Sequence, residues 1–155
     1  MRAALLLTLL AAPAHATCQE EEVFSCPIGK KVVEVCSWRG ELTYSFGREG
    51  SPEIILYEPL ETVDYTPWPG IGRAIWNMVA FQNEGVTYEV WSSFDRMDEN
   101  AVMEGGVNVM QGDDLLATLT CDKGSVKWGL DAITDLKAGI GQCWDIESHS
   151  WGLCN

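Results

Sequence analysis

The sequence predicts a mainly β domain, a small antiparallel β-barrel or sandwich with one C-terminal helix, braced by disulfides. Three observations carry that class. Short runs rich in Val, Ile, Thr, Tyr and Trp recur between Gly, Pro and Asn/Asp breaks, as strands do. After Cys121 the apolar spacing changes to that of a helix. Six cysteines, Cys18, Cys26, Cys36, Cys121, Cys143 and Cys154, follow what reads as an export leader. An even count in an exported chain marks a disulfide framework.

The elements follow in order. Residues 1–16 carry Arg2, an apolar run and the small-residue site Ala14-His15-Ala16, the pattern of a signal peptide cut after Ala16. Residues 17–155 are then one domain, opening on the acidic arm Gln19-Glu20-Glu21-Glu22. Val23-Phe24-Ser25-Cys26 and Val32-Val33-Glu34-Val35-Cys36 flank Pro27-Ile28-Gly29-Lys30 as a hairpin. Leu42-Thr43-Tyr44-Ser45-Phe46 makes a third strand, and the run 54–57 between Pro52 and Pro59 an edge strand. Residues 62–72, with Pro67, Pro69 and paired glycines, read as a loop.

The clearest signal is the pair of runs 74–81 and 86–94 around Asn83-Glu84-Gly85, an antiparallel hairpin. An acidic loop at 95–100 precedes a further hairpin, 107–110 with 115–121. Val126, Leu130, Ile133 and Leu136 then share one helical face, with Ser125 as its cap, Lys137 in the last turn and Gly139 after its end.

Six cysteines allow 15 pairings. Cys143 with Cys154 closes a small loop in the tail. Cys26 with Cys121 ties the first core strand to the last, closing a long loop worth about 4 to 5 kcal/mol in the chain-entropy account. Cys18 with Cys36 follows by elimination. No Cys-x-x-Cys occurs, so the thiols are expected to be structural.

The formal net charge is −13. Such a field repels nucleic acid and attracts basic proteins. Thr17 before Cys18 is a poor acylation context, and no run after the leader approaches the roughly 20 apolar residues of a membrane span. The expectation is a periplasmic or secreted protein without a membrane anchor.

Catalytic and metal chemistry finds little support. His149 is the sole histidine beyond the leader, so a transition-metal site with two histidines is excluded and a Ser-His-Asp triad would have to run through the tail. Carboxylates are plentiful, but nothing marks a glycosidase pair. Asp95, Asp98, Glu99 and Glu104 crowd one loop without the spacing of an EF-hand, which reads as a solvated acidic loop. Gly70-Ile71-Gly72 lacks the helix, Lys and Ser/Thr of a nucleotide loop. No enzyme activity and no cofactor are expected.

Binding is the better-supported class. Trp68 between Pro67 and Pro69 reads as a recognition tip or as the closure of one end of the fold. Seven tryptophans are many for this length, and Trp91 points to the face opposite Tyr88 and Val90. Those rings stack on sugars or anchor a partner if exposed; otherwise the other sheet buries one face and the helix the other.

The stretch Phe24-Ser25-Cys26-Pro27-Ile28-Gly29-Lys30-Lys31-Val32-Val33-Glu34-Val35-Cys36, with Tyr44-Ser45-Phe46-Gly47, resembles a family of small exported bacterial proteins without an established function. The resemblance runs through the strand ending at Cys121 and implies export and a disulfide-braced β domain. A shorter resemblance, the aromatic-x-Cys-x-x-Gly hairpin at Phe24 to Gly29, is to bacterial inhibitors of c-type lysozyme. It implies a small β-barrel whose first cysteine is tied to a late one, as Cys26 with Cys121 would be. The inhibitory Ser-Gly-x-x-Tyr loop of that family has no match here; Ser92-Ser93-Phe94 is a poor analogue.

The expected function is non-catalytic binding in the bacterial envelope, in concrete form inhibition of a basic wall-degrading enzyme. The loops 62–73 and 95–104 carry the candidate residues Trp68, Arg73, Asp95, Asp98 and Glu99. The alternative is a small-molecule or glycan module using exposed tryptophans.

Overall fold

A computed structural model describes residues 18, 21–127 and 129–154. The expected leader at 1–16, Thr17, residues 19–20 of the acidic arm, Trp128 and Asn155 lie outside the described residues. Four strands, β1 (Glu21–Ile28), β2 (Lys31–Trp38), β3 (Glu41–Arg48) and β4 (Ser51–Pro59), form one sheet in chain order. Five more, β5 (Asp64–Thr66), β6 (Ala74–Asn83), β7 (Val86–Asp95), β8 (Glu104–Gln111) and β9 (Asp114–Thr120), form a second. Helix α1 (Ala132–Gly139) and the hairpin β10 (Gln142–Asp145) with β11 (Ser150–Leu153) complete the chain. Every pairing is antiparallel and joins sequence neighbours.

The mainly β class is as expected, and of the two expected forms it is the sandwich: the two sheets face each other and do not close into a barrel. Period two decides the inner faces. Val33 and Val35 of β2 register with Phe46 and Tyr44 of β3, and Val79 and Phe81 of β6 with Val90 and Tyr88 of β7. These side chains meet in one core, where Tyr44 stacks between Phe81 (5.4 Å) and Tyr88 (5.5 Å). The turn Glu84-Gly85 has positive φ at both residues (50° and 83°), the backbone a two-residue hairpin requires.

The disulfides are Cys18–Cys36, Cys26–Cys121 and Cys143–Cys154, the three pairs expected. Three such bonds fit an oxidising compartment. Among the described residues no helix is long and apolar enough to cross a membrane.

Two elements depart from expectation. The loop 62–72 contains the short strand β5, paired with β6 through Asp64–Ala80, Tyr65–Val79 and Thr66–Met78. The helix begins at Ala132, not after Ser125. Residues 122–127 are drawn along the edge of β1 instead: Asp122 N–H donates to Pro27 O (2.9 Å) and Lys127 N–H to Ser25 O (3.0 Å). The Ser125 hydroxyl serves that turn by donating to Asp122 O. Val126 and Leu130 still pack on the core, but as parts of a loop. Ile133 of α1 and Leu130 just before it are fully buried and join the core cluster shared by the two sheets.

Candidate functional site

The β6–β7 register places Ala74 opposite Asp95, so the chain entering β6 and the chain leaving β7 emerge side by side. This brings the two candidate loops together at one end of the second sheet. Arg73 Nε lies 2.7 Å from Asp95 Oδ2, an exposed ion pair between the loops. Arg96 N–H donates to Arg73 O (3.3 Å), and the Arg96 guanidinium sits 5.1 Å from the centre of the Trp68 ring. Such cation–π contacts at exposed sites contribute about 0.5–1 kcal/mol.

Trp68 itself is half-buried and tied down. Its indole N–H donates to Ile71 O (2.8 Å), and its backbone N–H to Asn77 Oδ1 (3.3 Å). Asn77, buried on β6, also accepts from the Tyr65 hydroxyl (3.1 Å). That hydroxyl proton is thereby used, so the Thr134 hydroxyl of α1 donates to Tyr65 Oη at 3.1 Å. One amide thus anchors the 65–68 segment to the sheet and, through Tyr65, to the helix.

The acidic loop is ordered from within. Asp95 Oδ1 accepts from Met97 N–H (3.0 Å) and Asp98 Oδ1 from Asn100 N–H (2.9 Å). The Met97 amide and then Arg73 hold the Asp95 carboxyl below the usual carboxylate range. What the tip offers to solvent is apolar surface among charges of both signs, with carboxylates in excess over Arg73 and Arg96. Ile71 is 74% exposed and Met97 69%, beside exposed Asp98, Glu99 and Glu104. Trp76 is exposed on β6 just below them.

Trp68, Arg73 and Asp95 therefore share one cluster, and Asp98 and Glu99 follow it in the same turn. Sequence reasoning missed Arg96, Asn77, Ile71 and Met97. The hairpin register centred on Glu84-Gly85 was the signal for their adjacency, since it forces the two flanking loops to meet.

A second feature lies at the tail. An open cavity of about 370 Å³ runs between residues 61–66 and the β10–β11 hairpin, lined by Asp64, Tyr65, Lys137, Trp144, His149 and Trp151 among others. Trp151 stacks on Tyr65 (5.9 Å) and donates its indole N–H to Tyr65 O (2.8 Å). Lys137, in the last turn of α1 as expected, is 1% exposed. Its ammonium donates to Leu60 O (2.8 Å) and Gln142 Oε1 (3.0 Å) and lies 5.0 Å from the Trp151 ring centre. Burial lowers its pKa, and Asp64 opposes that shift.

Among the described residues, one group of metal-capable atoms clusters: Cys18, Glu22 and Glu34. The sulfur is committed to the Cys18–Cys36 disulfide, which leaves two carboxylates and no transition-metal set. No family model, curated protein or solved structure matches this chain.

Proposed function

We propose that the chain is a non-catalytic exported binding protein of the bacterial envelope, periplasmic or secreted, whose two-loop tip docks on a basic protein. The concrete form is inhibition of a basic wall-degrading enzyme of the lysozyme type. The observation that carries the reading is the fusion of the two loops by the Arg73–Asp95 and Arg96–Trp68 contacts into one tip. Apolar Ile71 and Met97 supply contact area there, and the carboxylates around them complement a basic surface and steer the encounter.

The test is lytic activity of c-, g- and i-type lysozymes with and without the oxidised mature protein, at two salt concentrations. The expected result is inhibition of one type that weakens as salt rises and is lost in the Ile71→Asp, Met97→Asp double variant. Absence of inhibition across the panel overturns the inhibitor reading.

The tail cavity favours a second reading, a glycan or small-molecule site. Trp144 and Trp151 offer ring faces for a sugar, and Asp64 an acceptor for its hydroxyls. Wall fragments should then change tryptophan fluorescence in a way that salt leaves unaltered and Trp151→Ala abolishes.

A further inference from the structure

Three contacts lay the tail hairpin along residues 61–70. Gln142, the first residue of β10, donates its side-chain N–H to Glu61 O (2.9 Å). Trp151, paired with Trp144 in the middle of the hairpin, donates its indole N–H to Tyr65 O (2.8 Å). Ile146 lies in the turn, and a Cβ at Gly70 would be 3.4 Å from Ile146 Cδ1. Gly70 has φ 84° and no side chain, so Ile146 rests on bare backbone beside Ile71. The contacts advance in step, from residue 61 to residue 70 and from the open end of the hairpin to its turn. The turn therefore arrives beside the 67–73 loop at the tip.

That turn is held in place. Asp145 Oδ1 accepts from the N–H groups of Glu147 (2.8 Å) and Ser148 (3.2 Å), and the hydroxyls of Ser148 and Ser150 meet at 2.8 Å. The Cys143–Cys154 disulfide closes the opposite end. Tyr65, on which Trp151 stacks, bonds to Asn77, whose amide oxygen also holds Trp68. A loop fixed in this way loses little freedom when it binds. Its apolar side chain is nonetheless offered to solvent, with Ile146 53% exposed.

We infer that the β10–β11 turn is the third loop of the docking surface, with Ile146 as its contact residue. This rests on the two-loop reading of the tip and enlarges it. Size supports the enlargement. Residues 67–73 and 95–104 alone fall short of the roughly 20–30 residues that a standard interface takes from one side, and residues 145–149 bring the tip into that range. Charge selects the occupant. The turn adds Asp145 and Glu147 to a tip whose carboxylates already exceed Arg73 and Arg96. Apolar side chains set among excess carboxylates fit a basic protein, which the field steers and the apolar contacts retain.

The test is an amide chemical-shift titration of the oxidised mature protein with each c-, g- and i-type lysozyme at low salt, beside Ile146→Ser and Leu153→Ser. Leu153 is 88% exposed at the end of the hairpin away from the turn. The expected result is that one lysozyme shifts residues 70–73, 96–99 and 146–149 together. Ile146→Ser should weaken that binding about tenfold, the scale of a central contact residue, and Leu153→Ser should leave it unchanged. Shifts at 70–73 and 96–99 that spare 146–149, or full affinity in Ile146→Ser, overturn the third loop and leave the two-loop reading standing. No shift at any loop with any lysozyme overturns both. Should Ile146→Ser disturb the hairpin, the wild-type shifts decide alone.

Discussion

Arg73 and Asp95 meet at the base of the β6–β7 hairpin, 2.7 Å apart, and join the two loops that flank it. The Asp95 carboxyl also accepts the Met97 amide, so one side chain fixes the acidic loop and links it to its neighbour. Asp95→Asn should therefore speed amide exchange at Met97. The midpoint of global unfolding should barely move, because exposed ion pairs contribute little to stability. The pH dependence has a definite sign. A carboxyl whose folded pKa is depressed contributes above its unfolded value of about 3.9, and that contribution fades as pH falls through the lower folded value. Protection of the Met97 amide, taken relative to its intrinsic exchange rate, should fall on acidification through that window in the wild type and stay flat in the variant. Equal exchange in both would show that the link does not order the tip.

Trp91 lies across Gly106 on the outer face of the second sheet. A Cβ at position 106 would meet the Trp91 ring at 3.0 Å and collide with Leu119 O. Gly106→Ala should destabilise by about 1–3 kcal/mol through that overpacking, and should shift the tryptophan emission. Gly152→Ala is the control, since a Cβ there meets nothing within 4 Å. Urea unfolding of the two variants distinguishes a close-packed Trp91 from a loosely exposed one.

Lys137 joins the turn at Leu60 to the tail hairpin through Gln142. Replacing it with Met keeps the aliphatic stem and leaves the Leu60 carbonyl without its donor. The loss should be about 1–3 kcal/mol, the range for an orphaned buried polar group. Because burial lowers the folded pKa of Lys137, the unfolded chain holds this proton more tightly. Between the folded value and the unfolded value of about 10.4, rising pH favours the native wild type. Its margin over Lys137→Met should widen across that window. A margin independent of pH would place the ammonium in solvent.

Much of the fold was legible because its rules are local. Alternating runs and Gly or Pro breaks located eight of the strands, and loop closure selected the three disulfides. The helix start failed for a non-local reason. Val126 and Leu130 keep helical spacing, but the backbone between Asp122 and Lys127 bonds to the edge of β1, and that pairing overrides local propensity. Strand β5 was hidden by its length and by the prolines after it. The burial of Lys137 was equally hidden, because the carbonyl and amide it serves lie on segments remote in sequence or joined only by the tail fold. Of the candidate residues, Trp68, Arg73, Asp98 and Glu99 lie in the loops and Asp95 at the end of β7, while the contacts uniting them needed the hairpin register to be followed to its open end.

Tyr44 tests the core itself. Its ring is fully buried between Phe81 and Tyr88, yet among the described residues its hydroxyl has no hydrogen-bond partner. Tyr44→Phe removes that stranded group and leaves the aromatic stack, so stability should rise by about 1 kcal/mol, the lower end of what an unsatisfied buried group costs. Burial, and then the nearby Tyr88, push the Tyr44 pKa upward. Above about pH 10 the unfolded chain ionises this tyrosine while the native chain retains its proton, so the native state loses ground as pH rises. The variant has no phenol to ionise at that position. Its advantage should therefore grow between neutral pH and the alkaline unfolding limit. A loss of stability at neutral pH would mean that the hydroxyl has a partner, such as a buried water, and that the core is wetter at its centre than its apolar walls suggest.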